Sequence, residues 1–178
     1  MIGLKRGTVK LMAHQGEWLK EAEKTIEELK YLLDNAAVDI QHIGSTAISS
    51  IHAKPIIDIV VGIYDLKDIM SFVDVLRKNG FIFRGKDVSE QVLFVKGDFD
   101  KDFRTHHIHV VEWNGDKWNN YINFRDYLNT FPEKAMIYDH CKQDLAIQFS
   151  DDRRQYTEGK QQLIEDFLEE ARLWKSEQ

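Results

Sequence analysis

A chain of 178 residues, 43% hydrophobic and 30% charged, is long enough to bury a core as one domain spanning 1–178. Two prolines and ten glycines leave little for disordered linkers. The formal charge of -6 argues against an extended, sequence-independent nucleic-acid surface, which needs clustered Lys and Arg, but is compatible with a local basic pocket.

The single cysteine, Cys141, excludes an intramolecular disulfide, and no run reaches the length of a membrane-spanning helix. The opening MIGLKRGTVKLMAHQGEW lacks the apolar core of a secretory leader, so a cytoplasmic location and no membrane partner are expected.

From about Met12 to Asn35, the residues Trp18, Ala22, Ile26, Leu29 and Leu33 recur at helical spacing with Glu and Lys opposite, which predicts an amphipathic helix. VDIQHI follows as a short strand running into a turn at Gly44, and Ile56 to Ile63 reads as a mostly buried central strand. Asp65 is placed to cap a helix reaching about Asn79, with Ile69, Phe72, Val73 and Leu76 inward and Gly80 as its stop. Further strands are expected at FIFRG, EQVLFVKG and THHIHVVEW. Three helical segments close the chain: DKWNNYINFRDYLNT, a second starting at Pro132, and RRQYTEGKQQLIEDFLEEARLWKS. Strands first and helices last give an α+β domain whose helices cover one side of a mixed sheet.

Four groups of residues bear on chemistry. The Gly44-Ser45-Thr46 turn between a strand and a helical segment can offer backbone amides and two hydroxyls to a phosphate, or can serve turn geometry and capping alone. Asp58 interrupts the apolar run PIIDIVVGI, where an ionised carboxylate needs a partner. That partner is either a cation held beside a phosphate on the turn, or Lys54, Arg104 or a histidine in an ion pair, and one network can serve both ends. In FRTHHIHVVEW, strand alternation sends His107 and His109 to one face and His106 to the other. Such a pair of imidazoles can ligate a metal, act as a base with its orienting group, or contact phosphate when protonated. In YTEGK, Tyr156 and Lys160 share a helical face, so Lys160 can reach a triphosphate or pair with a surface acid. Arg125 and His14 have the same status, and Cys141 lacks the basic surroundings of a catalytic thiol.

The series HIGSTAI, KPIIDIVV, RTHHIHVV, FRDYL and YTEGK, in order from His42 to Lys160, resembles the GrpB family of the nucleotidyltransferase superfamily. The resemblance implies a polymerase-β-like nucleotidyltransferase fold, a small mixed β-sheet flanked by helices with a helical C-terminal part. In that superfamily a hydrophobic residue, Gly, then Gly or Ser precede two carboxylates at alternate positions of the next strand. Ile43-Gly44-Ser45 and Asp58 match this pattern, whereas Val60 stands where the second acid belongs. A third superfamily carboxylate has no match in THHIHVV, where His107 or His109 occupies the corresponding neighbourhood.

The expectation is a protein that binds a nucleoside triphosphate or related small phosphate ligand together with a divalent metal, and transfers a nucleotidyl group to a small acceptor. Gly44, Ser45 and Thr46 hold phosphate, and Asp58 with His107 and His109 forms the metal and catalytic set. Lys54, Arg104 and Lys160 balance phosphate charge. A single carboxylate with phosphates and water suits Mg or Mn, and imidazole ligands favour Zn, Mn or another transition ion. The alternatives are a non-catalytic nucleotide or metabolite binder, favoured by Val60, and a histidine-dependent metal phosphoesterase.

Overall fold

In the computed structural model, which describes residues 1–85 and 89–178, a six-stranded mixed sheet forms the centre of the molecule. The strands are β1 (Leu4–Lys5), β2 (Asp39–Ile43), β3 (Ile57–Ile63), β4 (Ile82–Gly85), β5 (Gln91–Asp98) and β6 (Phe103–Glu112). They run in the order β2-β3-β6-β5-β4, and the short β1 pairs with β6 at Leu4↔Arg104. β3 and β6 are parallel and every other pairing is antiparallel. Most of β3 is buried on both faces, as its apolar run requires of a central strand.

The helices are α1 (Gly16–Leu33), α2 (Val73–Lys78), α3 (Asp116–Thr130), α4 (Pro132–Gln148), α5 (Arg153–Gly159) and α6 (Gln161–Ser176). On one face of the sheet, Trp18, Ala22, Leu29 and Leu33 of α1 pack on Ile57, Ile59, Val61, Ile108 and Val110, and the segment around Ile69 and Leu76 joins them. On the other face, Trp118 of α3 packs on Ile43, Val60 and Val111. A third cluster ties α3, α4 and α6 to the loop after β2 through Tyr127, Leu128, Ala135, Tyr138 and Phe167 with Ile48 and Ile51. Helices therefore lie on both faces rather than on one, because α3 covers β2, β3 and β6 on this face while α4 and α6 pack on α3 and on the loop after β2.

Several boundaries differ from the sequence reading for local reasons. The first helix starts at Gly16 because Met12 pairs with Ala53 in an antiparallel bridge that holds the preceding chain extended. Asp65 caps its segment as expected, accepting from the Lys67 amide at 2.9 Å, but residues 66–72 form tight 3-10 turns before α2 begins. The final helical stretch is two helices broken at Lys160. A Cβ at Gly159 would sit 2.5 Å from a Leu145 methyl, so glycine lets α5 close onto α4 at this bend without displacing that side chain. β1 carries too short a pattern to be read from sequence.

Candidate functional site

The parallel pairing of β3 and β6 sets the site. Asp58 stands opposite His107 and Val60 opposite His109, so alternation puts the carboxylate and both imidazoles on one face. Asp58 Oδ1 lies 3.2 Å from His107 Nδ1 and 3.2 Å from His109 Nε2. Burial alone works against the ionised carboxylate, but the hydrogen bonds and charge of the two histidines outweigh it and hold Asp58 well below the usual carboxylate range. Among the described residues these three form a group whose donor atoms all lie within 4.8 Å of one another.

The turn stands beside this triad because β2 pairs with β3 in the register Ile43↔Asp58. Gly44 has φ +69°, and a Cβ added there would meet Asp58 Oδ2 at 2.8 Å, so the motif requires glycine both for backbone conformation and for closeness to the acid. The segment after it is a single 3-10 turn, Ser45–Ala47, too short to supply a helix macrodipole. Thr46 is buried with its hydroxyl 2.9 Å from His42 Nε2, which leaves Ser45 as the hydroxyl turned to a neighbouring cation.

That cation is Lys142, which the sequence reading did not assign to the site. Its side chain is 1% exposed; Nζ donates to Ser45 Oγ at 3.2 Å and to the His52 carbonyl, and lies 4.0 Å from Asp139. Burial, then the charge of Lys160, holds its ammonium down to about 7, with Asp139 opposing. Asp139 itself is engaged by the His52 amide at 2.7 Å and His52 Nδ1 at 2.8 Å. A signal for Lys142 was present: Ala135, Tyr138, Asp139 and Lys142 follow one helical stripe, so a charged pair sits where α4 turns its apolar face inward.

Ser45, Thr46, Lys54, Asp58, His107 and Lys142 open onto a cleft of about 210 Å³ whose far wall, from α5 and its end, carries Arg153, Tyr156, Thr157 and Lys160. Lys54 Nζ lies 5.2 Å and Lys160 Nζ 5.0 Å from the centre of the Tyr156 ring, so one aromatic face system holds two cations at the cleft. Burial, followed by the charges of Lys160 and Arg153, lowers Lys54 to about 8. The expected spacing of Tyr156 and Lys160 thus has a consequence, although a helix break falls between them.

Other candidates lie elsewhere. Arg104 does not line this cleft; it pairs with Asp102 at 3.1 Å, stacks on Phe99 and borders a small adjoining depression shared with Lys54 and Arg153. His106 points to the opposite face, where Thr25 Oγ1 meets its Nε2 at 3.1 Å, and burial lowers it to about 4, as befits a neutral core histidine. Arg125 fastens α3 to β2 by donating to Gln41 Oε1 at 2.8 Å and the His42 carbonyl at 2.9 Å. His14 packs edge-on against Trp18, and burial pushes the Cys141 thiol up, away from nucleophilic use.

The donor set fits a divalent transition ion. Metal–ligand bonds of about 2.1 Å put neighbouring donors roughly 3.0–3.4 Å apart, close to the Asp58–imidazole separations. Two nitrogens and one oxygen suit Mn2+ or Zn2+ better than Mg2+, which prefers oxygen.

The fold recurs in known structures. The crystal structure of conserved protein GrpB from Enterococcus faecalis superposes with a TM-score of 0.85 at 27% identity, covering 93% of this chain and 99% of that one. A structure of the Cid1 poly (U) polymerase, described as MgGTP bound, superposes with a TM-score of 0.53 at 13% identity over 75% of this chain and 44% of that chain, a likeness of nucleotidyltransferase fold alone. In sequence, the glutamate-rich protein GrpB of Alkalihalophilus pseudofirmus is 38% identical over 96% of this chain and 99% of its own length. The family profile described as GrpB protein matches residues 8–170, which takes in the turn, the triad and the cationic wall alike, and the chain belongs to the GrpB family.

Proposed function

We propose that the cleft binds a nucleoside triphosphate or closely related phosphate ligand with a divalent cation, and transfers the nucleotidyl group to a small acceptor. The observation that carries this reading is the convergence on one cleft of the Asp58–His107 face and four cations, Lys54 and Lys142 beside it and Arg153 and Lys160 on the far wall, with Asp58 the one acid among the lining residues. Such an excess of positive charge, which adds to burial in lowering Lys54 and Lys142, is relieved by a polyanion, and a triphosphate supplies one of suitable length. Ser45 and Lys142 would receive phosphate oxygens on the β3 side, while Arg153, Thr157 and Lys160 would receive them from α5. Asp58, His107 and His109 would hold the cation, whose chemistry is to neutralise charge on phosphoryl oxygens.

Calorimetric titration with ATP, GTP, CTP and UTP in the presence of Mn2+ or Mg2+ tests the reading. Binding that depends on the cation and falls at least tenfold in Asp58→Asn and in the double variant His107→Ala, His109→Ala is the expected result. Equal binding by wild type and both variants would remove the triad from the ligand site.

One observation favours a second reading, a binder without transfer chemistry. Val60, where the superfamily pattern has its second acid, is completely buried against Ile43, Val111 and Trp118, so the fold has replaced that acid with core rather than left a gap. Tight nucleotide binding with no released pyrophosphate across a panel of alcohol and amine acceptors would establish this alternative.

A further inference from the structure

A second cavity, of about 290 Å³, lies between α3 and α6 and is lined by Gly44, Lys117, Asn120, Tyr121, Phe124, Ile164 and Leu168. Its volume is near the lower bound of small-molecule sites, roughly 300 Å³. It differs in chemistry from the cationic cleft: Tyr121 and Phe124 form an aromatic wall, Ile164 and Leu168 an aliphatic one, and Lys117 is the one charged residue among those lining it. It also borders the triad, through residues that do not line the cationic cleft. The Tyr121 ring stands 5.3 Å from that of His109, tilted by 40°, and Gly44 is the residue whose missing side chain makes room for Asp58. The Gly44–Asp58 contact and His109 therefore separate a polycationic cleft from an apolar one.

We propose that this pocket binds a small uncharged molecule carrying a ring and a hydroxyl, with the hydroxyl directed at the triad. Resting on the nucleotide reading above, this molecule is the acceptor. In-line displacement needs the attacking oxygen and the leaving pyrophosphate on opposite sides of the α-phosphorus, which calls for two separate pockets at the triad, and the two described here share no lining residue. The acceptor oxygen forms a bond to the α-phosphorus, and the bond from that phosphorus to the bridging oxygen of the β-phosphate breaks. The electron pair leaves with pyrophosphate, and the hydroxyl proton passes to solvent. The aromatic and aliphatic walls disfavour charged acceptors, since Lys117 is the one charged group among the lining residues and the apolar side chains offer a desolvated charge no partner.

The test uses 4-fluorobenzyl alcohol observed by fluorine NMR, with ATP and Mn2+ titrated separately by calorimetry on the same proteins. Saturable binding of the alcohol to the wild type is expected, weakened at least tenfold in both Leu168→Trp and Ile164→Trp, which fill the pocket, while ATP–Mn2+ affinity changes less than twofold. Two fill variants from different positions, each checked by thermal melting, guard against one that fails to fold. Absence of saturable binding in the wild type, or unchanged affinity in both folded variants, would overturn the proposal. Displacement of the alcohol by adenosine would overturn it too, marking the pocket as a nucleobase site. Binding of the alcohol with no binding of ATP–Mn2+ would support the pocket as a site for neutral ring alcohols while refuting the nucleotide reading.

Discussion

Replacing Lys142 by methionine is expected to stabilise the protein at pH 6 while abolishing its affinity for phosphate ligands. Burial holds this ammonium at about 7 against an ordinary 10.5. At about 1.4 kcal/mol for each pKa unit, keeping Lys142 charged costs the folded state roughly 5 kcal/mol below pH 7. Methionine fills similar space without charge, but leaves the His52 carbonyl short of a donor, a loss of about 1–3 kcal/mol, while the Ser45 hydroxyl opens onto the cleft and can take water instead. The difference predicts a variant more stable by about 2–4 kcal/mol at pH 6. The sign with pH follows from the depressed value. Between about 7 and 10.5 the unfolded chain keeps a proton that folded Lys142 has released, so raising the pH across this window stabilises the wild type. The gap between variant and wild type should therefore close and then reverse as pH approaches 10.5. Urea denaturation of both proteins at pH 6, 8 and 10 measures it. A variant less stable at pH 6, or a gap that does not change with pH, would refute the claim that the site holds a desolvated charge in wait for an anion.

Two further substitutions probe the β3 side of the cleft. Val60→Asp places a carboxylate in the apolar cluster under Trp118 and is expected to cost about 3–5 kcal/mol. A melting temperature unchanged by that substitution would show that the site accepts an acid after all. Gly44→Ala forces a side chain onto a residue at φ +69° and into Asp58 Oδ2, costing about 1–3 kcal/mol in strain. It should also weaken Mn2+ binding in a protein that still folds, and Mn2+ affinity equal to wild type by calorimetry would count against the closeness of turn and acid.

Strand periodicity alone placed His107 and His109 on one face and His106 on the other, and the structure bears this out through short-range geometry that any strand obeys. The central strand, the Asp65 cap and the helices beginning at Asp116 and Pro132 were legible for the same reason: hydrophobic period and capping residues act within a few positions of the chain. The turn and its acid stood out by their own chemistry, a hydroxyl-bearing glycine turn and a carboxylate inside an apolar run, and the resemblance carried by HIGSTAI and KPIIDIVV supplied the fold.

What the linear pattern could not decide was which distant segments meet. Arg104 and Lys142 are both basic residues near histidines in sequence, yet the first is turned aside to Asp102 and Phe99 while the second enters the cleft 97 positions away from Ser45. The break at Lys160 falls where Gly159 approaches Leu145 of another helix, a contact that no local propensity encodes. The apolar pocket exists only because α3 and α6 come together over Gly44. Periodicity and turn chemistry are properties of neighbours along the chain, and those the sequence determined by itself. The pairing of a cationic wall with an acidic strand, and of both with an apolar cavity, depends on packing between residues far apart, so the tertiary structure alone decided it.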